Sequence, residues 1–339
     1  MSLMLAEAQE APQRVREALA HDQDLYAELG ERLRRQDPKM VATVARGSSD
    51  HAAAYAQYLY PLCLGKVVAS LPPSVVTVLK APLKVENQFV LSISQSGRSP
   101  DIINTVEATR KAGALTATIV NDTSSPLASA AEVLLPQHAG VEKGLAATKT
   151  VICTMTAIAR VAASWANDGR LQEALQELPE FLEKAVRVGL ESDENKLKGI
   201  TNAFILSRGL GYTTALETAL KFKETCGIHA EAFSTAEVRH GPREIVDQNY
   251  VVIAIALPGS GQDDVLAAAR ELKEQGARVL TVASQSVGAD FPLPERVDPR
   301  VLPIVAVQTL YPWLARASKA LGRDPDHPRV LKSKVVETF

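Results

Sequence analysis

The sequence predicts an α/β protein built from two doubly wound parallel sheets, each covered by helices on both faces. Two observations predict this fold. Short apolar runs alternate with helix-like stretches along the 339 residues, and the alternation occurs twice at nearly constant spacing. Apolar runs that alternate with helices are typical of parallel strands buried on both faces. We therefore expect a flavodoxin-like, three-layer αβα arrangement in each half.

The first half of the sequence contains four strand candidates. Each is a short apolar run followed by a turn. A turn beginning Arg46-Gly47 ends the first run, and a Ser/Gly turn ends the second; a helix pattern follows each of these turns. The four candidates are residues 40–45, 89–94, 116–120 and 133–135.

The second half repeats this order. Arg46-Gly47 and Arg208-Gly209 lie 162 residues apart, and Phe89 and Tyr250, which open corresponding strands, lie 161 apart. A constant offset between matching landmarks indicates an internal duplication. The strand candidates of this half are residues 203–207, 250–256 and 279–282.

These patterns divide the chain into five segments. We expect a helical N-terminal arm, a first α/β domain, a helical linker, a second α/β domain and a short C-terminal tail that closes the site. Their predicted bounds are 1–34, 35–165, 166–197, 198–323 and 324–339.

Composition narrows the class of protein. A formal net charge of −2 gives no basic footprint for nucleic acid, and no apolar run is long enough to span a membrane. The N-terminus lacks a secretory pattern, and the three cysteines are scattered without a CxxC spacing. We expect a cytoplasmic protein with free thiols, no metal site and no organic cofactor.

The loop after the second strand candidate is the first candidate for a binding site. It runs from Ser94 to Pro100 and places Gln95, Ser96 and Ser99 just before a helix start. Hydroxyls and backbone N–H groups at a helix N-terminus form a cradle for anions, and phosphate suits it well. The alternative is an ordinary capping turn, but such a turn has no need of the extra hydroxyls and amide.

Two further loops carry hydroxyl groups. Ser49 follows the glycine of the first loop, and Thr148 lies in a small-residue loop that includes Ala146. Three such loops suit a phosphorylated polyol, which has many oxygens to satisfy. We include Ser49, Ala146 and Thr148 among the candidate substrate-binding residues.

The stretch 219–242 concentrates titratable side chains. It begins as a helix pattern and ends at His240-Gly241-Pro242, a helix-stop signal that leaves the imidazole on an exposed corner. Glu224 and His240 are residue types that transfer protons near neutral pH. The alternative is a solvated helix face with ordinary charge pairs.

Two nucleotide-binding motifs find no support. The chain has no P-loop motif, and the Gly209-Leu210-Gly211 segment lacks the third glycine of a dinucleotide fingerprint.

These motifs resemble those of one family. SISQSGRSPD resembles the phosphate loop of sugar isomerase (SIS) domains, and SRGLGYTTALETALKFKETCGIHAEAFSTAEVRHGP resembles the catalytic stretch in the isomerase half of glucosamine-6-phosphate synthase. The likeness runs from about residue 40 to the tail DPDHPRVLKSKV. It implies two SIS domains and a sugar-phosphate substrate whose phosphate is held by Ser94, Gln95, Ser96 and Ser99.

The resemblance also implies catalytic roles. Glu224 matches the family's general base, and Lys221 matches a lysine one turn earlier. His240 matches the ring-opening histidine, which such enzymes supply across a dimer interface, so the resemblance implies a homodimer. Lys334 fits the C-terminal lysine that closes over the sugar, although Lys332 is equally near.

The chain departs from synthases in two places. It begins MSLML, from which we expect no glutamine-hydrolysing domain, and residues 142–149 and 223–226 look more like type II glucosamine-6-phosphate deaminases. We therefore expect hydrolytic deamination of glucosamine 6-phosphate to fructose 6-phosphate and ammonia. The alternatives are an ammonia-dependent aminotransferase-like synthase, another phosphosugar isomerase or deglycase, and a non-catalytic sugar-phosphate sensor.

Overall fold

The computed structural model describes residues 1–259 and 261–330, which form two compact units. The first-sheet unit contains residues 13–142 and 149–176, and the second-sheet unit contains residues 1–12, 143–148 and 177–330. Two helices, α1 (Leu3–Ala20) and α8 (Gly169–Glu191), have residues in both units. No described helix is both long and apolar enough to cross a bilayer.

The first-sheet unit is built on five parallel strands. The strands are β1 (Met40–Val44), β2 (Val67–Ser70), β3 (Phe89–Ser94), β4 (Leu115–Val120) and β5 (Val133–Pro136). Its helices are α2 (Gln23–Gln36), α3 (Gly47–Leu64), α4 (Ser74–Thr77), α5 (Pro100–Lys111), α6 (Pro126–Ala130) and α7 (Lys149–Ala166). The strand order is β2-β1-β3-β4-β5, so the direction of winding reverses between β1 and β3. Ligands of open parallel sheets bind at such a reversal, beyond the carboxyl ends of the strands.

The second-sheet unit has the same topology. Its strands are β6 (Asn202–Ser207), β7 (His229–Ser234), β8 (Tyr250–Ala256), β9 (Arg278–Ser284) and β10 (Phe291–Leu293). Its helices are α9 (Tyr212–Lys221), α10 (Thr235–Arg239), α11 (Gln262–Glu274) and α12 (Leu302–Ala320). The order β7-β6-β8-β9-β10 repeats the order of the first sheet strand for strand, and all pairings are parallel. The two-sheet fold predicted from the sequence is confirmed.

The central strands form the core of each unit. Every residue of β3, β4 and β8 is buried, as expected of strands covered on both faces. In the first-sheet unit Trp165 packs edge-on against Tyr60 and Phe89, with ring centroids 6.1 and 6.0 Å away. The seven strands predicted from apolar runs match β1, β3, β4, β5, β6, β8 and β9 within two residues at each end.

One sequence expectation for the stretch 219–242 is wrong. The stretch is not one helix: α9 ends at Lys221, a wide turn follows, and the chain then enters β7 and the five-residue α10. Gly227, with a φ of 60°, ends the turn because glycine adopts this left-handed conformation without steric cost. Glu231 therefore lies on a strand and not on a helix face.

Candidate active site

The end of α9 widens into a π-helical turn. Residues Phe222–Cys226 form this turn, and such turns occur frequently at functional sites. Lys221 and Glu224 lie three residues apart across the junction, and the Lys221 Nζ donates to Glu224 Oε2 at 2.5 Å. The two residues that the sequence singled out are therefore in direct contact.

Lys221 is also paired with a second carboxylate. Its Nζ lies 3.3 Å from Glu217 Oε1, one turn earlier on α9. The side chains of Lys221 and Glu217 are 0% and 2% exposed, whereas that of Glu224 is 26% exposed. Glu224 is thus the member of this triad that solvent or a substrate can reach. We refer to Glu217, Lys221 and Glu224 as the charged triad.

The two carboxylates of the triad favour the charged form of Lys221. Burial alone would lower the pKa of Lys221, but the carboxylates of Glu217 and Glu224 outweigh burial and raise it above the usual value. Tyr311, on α12, donates a 2.9 Å hydrogen bond to Glu217 Oε1 and holds that carboxylate in place. The triad therefore places a permanent cation beside the exposed carboxylate.

Glu224 borders an open cleft of about 710 Å³ within the second-sheet unit. Cationic side chains from two segments, Lys223, Arg323 and Arg329, share the lining with it. Cations at the rim of a cleft attract anionic ligands. Cys226 is buried next to this lining, and burial raises the pKa of its thiol to about 11, which favours the protonated form at neutral pH.

His240 lies at the C-terminal end of α10, where its backbone N–H donates to Glu237 O at 3.0 Å. The residue is exposed, in agreement with the expected helix-stop corner. Among the described residues, the lining of the Glu224 cleft does not include His240. Gly241, at a φ of 152°, completes the corner in a conformation that favours glycine.

The serine loop occupies the reversal point of the first sheet. It connects β3 to α5, and α5 begins at Pro100 after Ser99 as predicted. Ser94 is buried and its Oγ accepts the backbone N–H of Gly97 at 3.0 Å, so it shapes the loop. Ser96 and Gln95 are half-buried, and Ser99 makes no side-chain cap bond to the helix.

An ion pair links the segment after β1 to the start of α5, which follows β3. Arg46, after β1, donates to Asp101 Oδ2 through Nε at 3.0 Å and Nη2 at 2.8 Å. Asp101 is buried in the first turn of α5. Ser49 lies in the first turn of α3, directly after Arg46, and is half-buried.

The turn of the serine loop depends on Gly97. We expect Gly97→Ala to destabilise the protein and weaken the phosphate binding expected of this loop, because an added Cβ would lie 2.0 Å from Ser125 Oγ and 2.9 Å from Val120 Cγ2. The matched control is Gly65→Ala, which has nearly the same φ (65° against 63°) but no atom within 4 Å of the added Cβ. The control should cost about 1–2 kcal/mol for its backbone conformation alone, and Gly97→Ala about 1–3 kcal/mol more for overpacking. Urea denaturation and calorimetric titration measure the two effects; equal costs for both variants would contradict this account of the loop.

Four further site residues were predicted from the sequence: Ala146, Thr148, Lys332 and Lys334. Ala146 and Thr148 are buried, and the Thr148 hydroxyl donates to Ala146 O at 2.9 Å. Lys332 and Lys334 lie outside the described residues. Within residues 1–259 and 261–330, no group of three or more His, Cys, Asp or Glu side chains could hold a metal ion.

Two residues of the site were missed from the sequence. Glu217 stands four residues before Lys221, and this spacing is itself a signal for a helical ion pair. Tyr311 is 94 residues away from Glu217 and carries no local signal.

Two parallel sheets of one repeated strand order, with a hydroxyl-rich loop at the first reversal point, define a duplicated doubly wound α/β protein. The chain belongs to the SIS domain family, whose model matches residues 36–164 and 196–288.

Individual relatives support this assignment. The chain is 33% identical, over 97% of its length, to a glutamine–fructose-6-phosphate aminotransferase (isomerizing) of Methanothermobacter thermautotrophicus, of which it covers 56%. It thus spans a little over half the length of that relative. A crystal structure of a candidate phosphosugar isomerase from Silicibacter pomeroyi shares 36% identity at a TM-score of 0.89, covering 96% of this chain and all of that one. The glucosamine-6-phosphate deaminase of Thermotoga maritima, at 22% identity and a TM-score of 0.80 over 99% of this chain and all of that one, shows the fold alone.

Proposed function

We propose that this chain is a phosphosugar isomerase that moves a proton between C1 and C2 of an open-chain sugar phosphate. The observation that carries the proposal is the charged triad: an exposed carboxylate, Glu224, held 2.5 Å from the buried ammonium of Lys221 at the border of a cleft. A general base must reach its substrate and keep a fixed orientation, and the triad provides both. The isomerase names of the relatives agree with this chemistry.

The proposed substrate is glucosamine 6-phosphate, which reacts with water to give fructose 6-phosphate and ammonia. His240 protonates the ring oxygen as the C1–O5 bond breaks, and the C1 hydroxyl gives its proton to water, which leaves the aldehyde. Glu224 then removes the C2 proton while the C1 oxygen takes up a proton from water, which gives an enolamine, and Glu224 returns the C2 proton to C1. Water adds to the resulting C2 imine, the C2–N bond breaks, and ammonia leaves. The step is balanced without any oxidant or reductant.

The other residues assist this sequence. Lys221 stabilises the negative charge that develops on the C1 oxygen as the C2 proton leaves, and it orients Glu224. The serine loop binds the phosphate through Ser96, Ser99 and the backbone at the start of α5. The likeness of residues 142–149 and 223–226 to type II deaminases supports the direction in which nitrogen leaves.

The proposal includes a homodimer in which a second copy supplies the ring-opening histidine. Within the described residues, His240 does not line the cleft of its own Glu224, while it stands exposed at a corner of the surface. A histidine so placed is available to a neighbouring copy. The alternative reaction is the synthetic one, with ammonia and fructose 6-phosphate as substrates, which the likeness to the archaeal aminotransferase favours.

Coupled detection of ammonia and ketose phosphate tests the function. We expect equimolar ammonia and fructose 6-phosphate from glucosamine 6-phosphate, and galactosamine 6-phosphate assayed alongside shows which configuration of the amino sugar the enzyme accepts. If an aldose phosphate gave a ketose phosphate and no ammonia was released from glucosamine 6-phosphate, the isomerase activity would stand and the deaminase activity would be rejected. Net synthesis of glucosamine 6-phosphate from ammonium and fructose 6-phosphate would show that nitrogen is added and not released. No reaction with any of these sugars would overturn the proposal.

A further inference from the structure

The helix that carries His240 is too short to hold its own position. α10 has five residues, and isolated helices of that length are unstable in water. Val238 is buried and packs in one apolar cluster with Ala268 and Leu272 of α11. The position of His240 therefore depends on how α10 is fastened to α11.

Arg239, next to His240, provides most of the fastening. Its Nη1 donates to Asp264 Oδ1 at 2.6 Å, and its Nη2 and Nε donate to the two oxygens of Glu271 at 2.9 and 3.3 Å. A guanidinium that bonds both oxygens of a carboxylate fixes direction as well as distance. The hydrogen bond from Arg239 lowers the pKa of Glu271, so this carboxylate is charged at neutral pH.

Bonds on both sides of His240 complete the arrangement. Before it, the Thr235 hydroxyl donates to Asp264 Oδ2; after it, Arg243 Nη1 lies 3.1 Å from Glu271 Oε2. We call these five residues the α10 clamp: Thr235, Arg239, Arg243, Asp264 and Glu271. Its charged side chains are 30–37% exposed, and single ion pairs at such exposure contribute little to stability. A network that brackets one side chain is suited to fixing the direction of that side chain.

The internal duplication gives Asp264 of the clamp a counterpart in the first copy. In the first copy Arg46 pairs with Asp101; at the matching places Arg208 lies 3.6 Å from Asp264, 162 and 163 residues later. The carboxylate that anchors the post-strand loops in the first copy also fastens α10 in the second.

We propose that Arg239 is a positioning residue for His240, acting through Asp264 and Glu271. The inference rests on the proposed function, in which His240 opens the sugar ring. It predicts that loss of Arg239 impairs ring opening and leaves the proton transfer by Glu224 intact. Displacing a proton donor by about 1 Å costs on the order of a hundredfold in rate.

Ring opening can be measured separately from proton transfer. A Glu224→Gln enzyme cannot move the C2 proton, but it can still exchange the α and β anomers of glucosamine 6-phosphate, which NMR exchange spectroscopy detects. In this background we expect Arg239→Gln to slow enzyme-dependent anomer exchange about tenfold to a hundredfold. The rate with Arg239→Lys should lie between that of the Glu224→Gln parent and that of Arg239→Gln. The matched control is Arg32→Gln, which removes a similarly exposed ion pair, with Glu132 at 2.5 Å, from the first-sheet unit. It should leave anomer exchange unchanged.

The outcomes separate the two proposals. Absence of anomer exchange in the Glu224→Gln parent would remove ring opening from the proposed function, and the role of Arg239 with it. Normal exchange in the parent and an equal rate in Arg239→Gln would overturn the positioning role alone. Amide hydrogen exchange adds a readout that needs no turnover: protection across residues 235–246 should fall in Arg239→Gln and stay unchanged in Arg32→Gln. Unchanged protection in both variants would also overturn the inference.

Discussion

Replacing Glu224 with glutamine should abolish turnover while the protein still binds its sugar phosphate. Glutamine keeps the volume of the side chain and an oxygen that can accept from Lys221, but it cannot take up the C2 proton. Losing a general base lowers the rate by about 10²–10⁴-fold. Coupled ammonia and ketose assays measure kcat, and calorimetric titration with glucosamine 6-phosphate should give a dissociation constant within about threefold of the wild type, a difference below 1 kcal/mol.

A neighbouring glutamate provides the control. Glu231 lies exposed on β7 with the same charge and side chain, so Glu231→Gln should retain normal kcat and binding. Solvent deuterium gives a second readout: a proton held on the base that exchanges with solvent before it reaches C1 leaves deuterium at C1 of the ketose, and this requires an active base. Near-normal turnover, or deuterium incorporation, in Glu224→Gln would show that another group is the base.

The fold was predictable because its central strands are buried and therefore consist mainly of apolar residues. Residues of β3 and β8 are buried on both faces and read as continuous apolar runs. The three strands that the sequence did not reveal lack this signal. β2 is an exposed edge strand, β7 alternates charged and small residues, and β10 is three residues with a proline. In each, pairing with a neighbouring strand decides the conformation.

The candidate site was predictable in part. Helical spacing and family likeness both pointed to Lys221 and Glu224, and the structure brings them into contact. The π-helical turn between them has no sequence signature, and the stretch therefore read as one long helix. Tyr311 and Glu271 reach the site region only through tertiary packing, which local patterns do not encode.

The buried lysine of the charged triad should have the largest effect on stability. We expect Lys221→Met to lower the free energy of unfolding by about 3–5 kcal/mol, because it leaves the carboxylate of Glu217 buried without its cation. Methionine fills the volume of the lysine stem, so the loss reflects charge more than a cavity. Urea denaturation of the variant and the wild type measures this difference.

A second substitution that removes the negative charge of Glu217 should restore part of the free energy of unfolding that Lys221→Met loses. Glu217→Gln keeps an oxygen to accept from Tyr311, and Glu224, at 26% exposure, can be solvated. The double variant should therefore be more stable than Lys221→Met alone, by about 1–3 kcal/mol, the desolvation cost of an unpaired buried polar group. Lys223→Met is the control for the substitution itself: Lys223 is exposed two residues away, and surface substitutions change the free energy of unfolding by no more than about 0.5 kcal/mol.

Two outcomes would show that the charge of Lys221 does not hold the triad together. One is a Lys221→Met variant as stable as Lys223→Met, and the other is a double variant no more stable than Lys221→Met. Both variants that lack Lys221 should remain inactive however stable they are, because rescue of the fold does not restore the cation beside Glu224.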